Sequence, residues 1–271
     1  MTNILSIDDR SIFGVAFDLE GTIVDLEPYH WAAHVATAAS LGVMLDLDDP
    51  RTFTELVPHL IGGPDRAVME NILALARQQE KWKEVPTETE NQTLRKMLET
   101  KQSLYRTNLH DLDTIPLRDG FREFYYQLQN YGIPISIGSL TDTEDAKIIL
   151  EKSGLDQLFL PDAIVLKEDV DAVKPDPEVY IKTAERMKID PRNQLVFEDS
   201  HNGVIAAREA GSVALGIPTI DQPAVIKRLR AAGALEVFTG WRDLGGALFG
   251  SKEGRNLIGV EGKPGGPRER R

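Results

Sequence analysis

Acidic side chains directly follow two apolar segments of this sequence. Asp18 and Glu20 come after the apolar run Ile12–Phe17, and Glu198 and Asp199 come after a second run. A glycine and a threonine follow Glu20 at once, so the first run has the pattern of a buried strand that ends in an acidic turn. A carboxylate in such a place can attack a phosphoryl group or bind Mg²⁺, which prefers hard oxygen ligands.

Two further polar residues lie at comparable places in the pattern. Ser139 follows the apolar stretch Ile133–Gly138, and Lys174 lies in the loop before the helix that Asp176 and Pro177 are predicted to open. Because the carboxyl ends of parallel strands share one edge of a sheet, we expect these groups to meet the acids there. They would add a hydroxyl and an ammonium group that bind phosphate oxygens. The whole set predicts a phosphoryl-transfer site with Mg²⁺ as its cofactor.

The elements that would carry these residues alternate between helix and strand. Short apolar runs, predicted as strands, lie at residues 133–138, 163–166, 194–197, 213–216 and 235–238, and helical patterns separate them. Thr141 and Glu144 have the spacing of a capping box, which predicts that a helix begins there. The alternation predicts an α/β fold with a doubly wound parallel sheet.

The stretch from Pro28 to Leu112 differs from the rest of the chain. Its apolar residues recur at helical spacing and no convincing strand interrupts them, which predicts a separate all-helical unit inserted after the first strand. Residues 251–271 are rich in glycine, proline and basic residues, and we expect a disordered tail there.

Composition excludes several classes of function. The 271 residues carry a formal net charge of −12 with a sequence pI near 5.0, so we expect neither nucleic acid nor an anionic membrane surface as a partner. There is no cysteine, which excludes a disulfide framework and a thiolate nucleophile. No apolar run approaches the roughly 18 residues that span a bilayer, and the first residues do not form a targeting segment, so the expected location is cytoplasmic. The sequence leaves monomer and homodimer open.

Four segments of the chain resemble the motifs of the haloacid dehalogenase-like (HAD) hydrolase superfamily. They are, in order, DLEGTIVD, SIGS, VKPDPEVY and VFEDSHNGVIAAREAG, and the resemblance extends from Ile12 to about Asp243. The helical insert after the first motif resembles the small cap of the branch that contains β-phosphoglucomutase and many sugar-phosphate phosphatases. The resemblance implies a Rossmann-like catalytic core at residues 1–27 and 113–250, a helical cap at residues 28–112 and a tail at residues 251–271.

Carried over residue by residue, the resemblance implies that Asp18 is the nucleophile that forms an aspartyl-phosphate. Glu20 lies at the general acid/base position and offers its backbone carbonyl to Mg²⁺. Ser139 and Lys174 would hold the transferring phosphoryl group. Asp18 and Asp199 would bind the metal, as would Glu198, either directly or through water.

Glu20 departs from the family pattern, because most members have aspartate two residues after the nucleophile. The DxEGT pattern resembles that of the enolase-phosphatase group, and glutamate can still donate and accept a proton. We therefore expect an active enzyme whose proton-transfer geometry differs, since catalytic geometry is sensitive on a scale of about 1 Å.

Three residues of the helical insert are candidate substrate ligands. His30 lies in PYHW, which resembles a cap helix of β-phosphoglucomutase, and Arg66 lies in GGPDR, which resembles the substrate loop of that enzyme. Lys101 resembles a cap lysine that faces the site. Solvated or structural roles remain open for all three, and His30 with His34, four residues apart, could only form a metal site with a third ligand that the sequence does not indicate.

These expectations converge on a Mg²⁺-dependent phosphatase that hydrolyses a small phosphomonoester, most plausibly a sugar phosphate, through an aspartyl-phosphate intermediate. A β-phosphoglucomutase-like phosphosugar mutase is the first alternative, because it would share every core residue and differ only in the acceptor of the phosphoryl group. A binding or regulatory protein of low activity, marked by Glu20, is the second.

Overall fold

The computed structural model describes residues 4–7, 10–49, 52–58, 60, 64–81, 87–244 and 258–261. The chain divides into two compact units. We call the first, Met1–Asp25 with Thr114–Arg271, the α/β unit, and the second, Leu26–Asp113, the helical unit. Of the helices that the structure describes, none combines the length and the apolar character needed to cross a membrane.

A parallel sheet of six strands forms the centre of the α/β unit. Its strands are β3 (Gly14–Phe17), β4 (Ile135–Gly138), β5 (Ile164–Val165), β6 (Gln194–Glu198), β7 (Val213–Gly216) and β8 (Glu236–Val237), in the spatial order β5-β4-β3-β6-β7-β8. Helices separate these strands along the chain: α4 (Phe121–Asn130), α5 (Thr143–Ser153), α6 (Glu178–Met187), α7 (His201–Glu209) and α8 (Pro223–Ala232). The predicted fold class, a doubly wound α/β core with an inserted helical unit, is confirmed.

The strand order determines where the site lies. After β3 the chain adds β4 and β5 on one side and then returns to add β6 on the other, so β3 and β6 meet at the topological switch point of the sheet. Ligands of open α/β sheets bind outside the carboxyl ends of the strands at this point. Phe17 pairs in register with Phe197, which places Asp18 beside the acids that end β6.

Aromatic packing fixes the central strand. The Phe17 ring lies 5.5 Å from that of Phe197 in a stacked arrangement, and it contacts Phe121 at 5.3 Å and Trp241 at 5.6 Å edge to face. All four side chains are buried. Such aromatic pairs add stability beyond the area they bury, so the end of β3 is held rigidly.

The helical unit consists of α1 (Glu27–Ser40), α2 (Asp65–Gln78) and α3 (Thr87–Asp111), with a π-helical turn at Thr52–Leu56. Its own hydrophobic core takes one face of each helix, including Val68, Ile72 and Met97. Apolar residues three and four apart on α2 thus meet one core, as the helical spacing predicts.

A second, smaller sheet has the order β2-β1-β9, with β1 (Ile4–Ile7), β2 (Arg10–Ile12) and β9 (Ile258–Glu261). Strand β9 pairs antiparallel with β1. The expected disorder of the tail is therefore wrong for these four residues, because their backbone pairs with β1, which lies near the other end of the sequence. The rest of the segment 251–271 lies outside the described residues.

The predicted capping box at Thr141 is also wrong. Helix α5 begins at Thr143, and its N-cap is Asp142, whose side chain accepts a hydrogen bond from the backbone N–H of Glu144. Aspartate is among the best N-cap residues, so Asp142 satisfies the first turn and leaves the Thr141 hydroxyl for other contacts.

Candidate active site

The Lys174 side chain is the centre of the polar cluster at the carboxyl edge of the sheet. Its Nζ donates to Asp18 Oδ1 at 2.6 Å, to Glu198 Oε1 at 2.6 Å and to the carbonyl oxygen of Gly138 at 3.2 Å. An ammonium group has three donors, and all three are thus used. Lys174 therefore joins the ends of β3, β4 and β6 through one charged group.

Charges in this cluster stabilise one another against burial. Burial alone would lower the pKa of Lys174, but the carboxylates of Asp18 and Glu198 outweigh it and raise that pKa above its ordinary value. Burial raises the pKa of Asp18 well above its usual range. The positive charge of Lys174 lowers that pKa, whereas the negative charges of Glu198 and Asp199 raise it. Lys174 is therefore an ammonium at neutral pH, and it is the main group that favours the ionised form of Asp18.

Hydrogen bonds hold both oxygens of Glu198. Besides Lys174, Oε1 accepts a bond of 2.5 Å from the Tyr180 hydroxyl, and Oε2 accepts bonds from the hydroxyl and backbone N–H of Ser200 at 2.9 and 3.2 Å. A Cβ atom at Gly203 would lie 1.8 Å from Oε1, so the first turn of α7 can approach the carboxylate only because residue 203 is glycine. Glu198 is fully buried and fixed in place.

Asp199 lies beside the turn that follows β3. The Thr219 hydroxyl lies 3.2 Å from Asp199 Oδ2 and 3.1 Å from the carbonyl oxygen of Gly21. Gly21 has a φ of 77°, and a Cβ atom there would lie 2.1 Å from Asp199 Oδ2. The left-handed backbone and the absent side chain are both needed for Glu20 and Asp199 to share this edge.

Arg118 fixes the same turn from the other side. Its Nη1 donates to the carbonyl oxygens of Gly21 at 2.5 Å and Ile217 at 2.7 Å, and its Nη2 donates to that of Pro218 at 2.8 Å. Burial lowers its pKa, although Asp199 and Asp25 act in the opposite direction. A guanidinium group that donates to two loops at once holds them in one geometry.

Glu20 contacts the loop after β4. Its Oε1 accepts a hydrogen bond of 2.5 Å from the Thr141 hydroxyl, and the Thr141 and Ser139 hydroxyl oxygens lie 2.8 Å apart. The structure therefore brings the four predicted catalytic residues, Asp18, Glu20, Ser139 and Lys174, to one edge of the sheet.

The acids of the site fit a hard divalent cation. Asp18, Glu198 and Asp199 each offer a carboxylate oxygen, and these oxygens lie within 4.8 Å of one another. All are oxygen donors, which suits Mg²⁺. A cation there would also relieve the mutual repulsion that raises the pKa of Asp18. Because hydrogen bonds within the protein already hold both oxygens of Glu198, Asp18 and Asp199 are the more available ligands.

The three candidate substrate residues lie in the helical unit, where two of them belong to a partly buried network. Lys101 Nζ donates to His30 Nδ1 at 2.9 Å and to Asp65 Oδ2 at 2.8 Å, and the His30 ring stacks on Tyr105 at 3.9 Å. The Lys101 side chain is only 2% exposed. Arg66 instead pairs with Glu70, and its side chain is 61% exposed. Their roles toward a substrate stay a prediction.

His34 belongs to the network through Asp65 and not through a metal cluster. Its Nε2 lies 3.1 Å from Asp65 Oδ1, and burial lowers the pKa of His34. Burial opposes ionisation of Asp65 as well, but the hydrogen bond from His34 and the charge of Lys101 outweigh it and hold the pKa of Asp65 well below its usual range. Among the residues that the structure describes, the only cluster suited to a metal is that of the α/β unit.

Several residues of the site were missed from the sequence. Tyr180 lies inside the segment VKPDPEVY, but the motif alone does not predict its hydrogen bond to Glu198. Thr219 and Arg118 lie outside the four motifs, and the residues around them do not indicate a role in the site. Thr141 was interpreted as a helix cap, and Asp65 was not singled out.

Comparisons with known proteins agree with this geometry. The family model described as "Hydrolase: haloacid dehalogenase-like hydrolase" matches residues 13–211. A phosphorylated carbohydrates phosphatase of Thermotoga maritima is 28% identical over 198 residues, which cover 73% of this chain and 81% of that protein. A fructose-1-phosphate phosphatase of Escherichia coli is 27% identical over 204 residues, covering 75% and 95%. The crystal structure of an Entamoeba histolytica HAD hydrolase of family IA, variant 3, has a TM-score of 0.67 and 26% identity, and covers 86% of this chain and 95% of that one.

Replacing Lys174 by methionine should strongly destabilise the protein. Two buried carboxylates would lose their cation, which costs about 3–5 kcal/mol of unfolding free energy near pH 7. The pKa of Asp18 would rise further, so the loss should shrink as the pH falls and that carboxyl group takes up a proton. Urea unfolding at neutral and at lower pH measures this. Lys147→Met is the matched control, because that exposed lysine pairs with Glu144 at the surface, and its loss should cost no more than about 0.5 kcal/mol. Equal effects of the two variants would contradict the account.

Replacing Asp65 by alanine should destabilise the helical unit. Lys101 would stay buried without its carboxylate, at a cost of about 2–3 kcal/mol, below that of a fully buried pair because the Asp65 side chain is 39% exposed. The effect should be complete above the ordinary aspartate pKa of about 3.9 and shrink below it, since the depressed pKa of Asp65 stabilises only the ionised form. Thermal unfolding at several pH values tests this, with Glu70→Ala as the control that removes only a surface ion pair. No difference between Asp65→Ala and Glu70→Ala would be the contrary result.

Proposed function

The chain belongs to the haloacid dehalogenase-like hydrolase family, and we propose that it is a Mg²⁺-dependent phosphatase acting on a small phosphomonoester, of which sugar phosphates are the favoured class. Family membership confirms the resemblance noted in the sequence. Relatives that hydrolyse phosphorylated carbohydrates and fructose 1-phosphate support phosphatase activity on phosphorylated small molecules. The observation that carries the proposal is the ammonium group of Lys174, 2.6 Å from Asp18 Oδ1 at the switch point of the sheet.

In the first step, Asp18 attacks the phosphorus atom. A bond forms between an Asp18 carboxylate oxygen and phosphorus, and the bond between phosphorus and the leaving oxygen breaks. Glu20 gives its proton to that oxygen, so the alcohol leaves as a neutral molecule. Ser139 and Lys174 hold the phosphoryl oxygens while their charge is redistributed, and Lys174 exchanges one of its present acceptors for a phosphoryl oxygen to do so.

In the second step, Glu20 acts as a base. It takes a proton from water, whose oxygen attacks the phosphorus of the aspartyl-phosphate, and the bond to Asp18 breaks. Inorganic phosphate leaves, and Asp18 and Glu20 return to their first protonation states. Positioning and charge neutralisation are the main demands that phosphoryl transfer makes on a protein.

The acids of the site also explain the need for a metal. Asp18, Asp199 and the backbone carbonyl of Glu20 would hold Mg²⁺, with Glu198 direct or through water, and the bound ion would neutralise charge on the phosphoryl oxygens. The all-oxygen donor set and the repulsion among the carboxylates support this assignment.

Replacing Asp18 by asparagine should abolish phosphate release, because the amide cannot attack phosphorus. We expect the purified protein with Mg²⁺ to release phosphate from some members of a panel of sugar phosphates and other phosphomonoesters. EDTA should abolish the release as well, and added Mg²⁺ should restore it. Full activity of Asp18→Asn would rule out the proposed nucleophile.

The same assay separates the two alternatives. Conversion of a hexose 1-phosphate to its 6-phosphate isomer without free phosphate would identify a mutase. If calorimetry detects ligand binding but the protein neither releases phosphate nor isomerises the sugar phosphate, it is a binding or regulatory protein.

A further inference from the structure

The Thr141 hydroxyl is placed between the predicted acid/base and the predicted phosphoryl ligand. Its Oγ1 donates to Glu20 Oε1 at 2.5 Å and lies 2.8 Å from Ser139 Oγ. The Thr141 backbone N–H also donates to Ser139 Oγ, at 3.2 Å. Three side chains from the loops after β3 and β4 are thus joined in one chain of hydrogen bonds.

The number of hydroxyl protons determines the donor and the acceptor in each of these hydrogen bonds. Each hydroxyl has one proton to donate and an oxygen that can accept. Glu20 Oε1 accepts, either as a carboxylate oxygen or as the carbonyl oxygen of the protonated acid, so the proton of Thr141 goes to Glu20 and the Thr141 oxygen accepts from Ser139. The order is Ser139 to Thr141 to Glu20, and every hydroxyl proton in it is used.

Helix capping does not explain this arrangement. The N-cap of α5 is Asp142, whose carboxylate accepts from the Glu144 backbone N–H. Thr141 is half-buried, and its hydroxyl turns toward Glu20 and away from the first turn of the helix. A tertiary contact and not local backbone structure therefore accounts for the orientation of its side chain.

We propose that Thr141 is a positioning residue that holds the Glu20 carboxyl group for proton transfer to the leaving oxygen. The inference rests on the proposed function, in which Glu20 is the acid and base. A glutamate has one more rotatable bond than an aspartate, and a hydrogen bond at its tip removes conformations that point away from the site.

Thr141 also links Glu20 to the binding of the phosphoryl group. When Ser139 donates its proton to a phosphoryl oxygen, it no longer donates to Thr141. Thr141 keeps its hydrogen bond to Glu20, so the acid stays in position while Ser139 turns to the phosphoryl oxygen. One side chain thus joins substrate recognition to the position of the acid.

The test compares two esters that differ in their need for an acid. A sugar phosphate has an alkoxide leaving group that must be protonated, whereas p-nitrophenyl phosphate has a stable phenolate that leaves without a proton. Thr141→Val removes only the hydroxyl and keeps the shape of the side chain. We expect it to lower kcat/KM for the sugar phosphate about 10- to 100-fold and to leave kcat/KM for the aryl ester within about threefold.

Two further variants separate positioning from folding. Thr143→Val is the matched control, because Thr143 is the first residue of α5, two residues after Thr141, is also half-buried, and has an Oγ1 without a hydrogen-bond partner among the described residues. It should leave both esters within about twofold of the wild type. Thr141→Ser keeps the hydroxyl and should retain the activity on both esters. Urea unfolding of each variant shows whether stability has changed.

The results that would overturn the inference are specific. They are an equal loss on both esters in Thr141→Val, or no greater loss on the sugar phosphate than in Thr143→Val. A wild-type protein that cleaves neither ester would instead overturn the proposed function, and the inference with it.

Discussion

One ammonium group determines the geometry of the α/β unit's functional edge. Lys174 donates to Asp18, to Glu198 and to the carbonyl oxygen of Gly138, so three neighbouring strands end on a single buried cation. Burying two carboxylates without it would cost several kcal/mol, and the sheet could not end in acids at its switch point. The chemistry of the edge and its stability therefore depend on the same side chain.

The remaining contacts of the site differ in how firmly they hold the acids. Glu198 has partners on both oxygens and is fixed, whereas Asp199 and Asp18 keep oxygens that suit a divalent cation. Glu20 lies next to a turn that Arg118 holds in place, and its Oε1 accepts a hydrogen bond from Thr141 of the neighbouring loop. Acids held in fixed positions organise the charge that two successive phosphoryl transfers require.

Local patterns predicted the fold and the placement of Asp18, Glu20, Ser139 and Lys174 at one edge of the sheet, because buried runs that end in polar residues are a local property of each strand. Contacts between distant segments were not predictable. Thr141 and Asp142 both have the chemistry of a helix cap, and only the position of Glu20, 121 residues away, decides between them. Lys101 lies on a mostly polar helix where lysine is usually exposed, and its burial depends on Asp65 from another helix.

The stereochemical course at phosphorus tests the account most directly. A sugar thiophosphate made chiral at phosphorus by one sulfur atom and two oxygen isotopes would be hydrolysed in water that carries the third oxygen isotope, and phosphorus NMR would give the configuration of the product. Two in-line displacements, first by Asp18 and then by water, predict net retention of configuration. Net inversion would mean that water attacks the substrate directly, and it would contradict a nucleophilic role for the carboxylate that Lys174 holds.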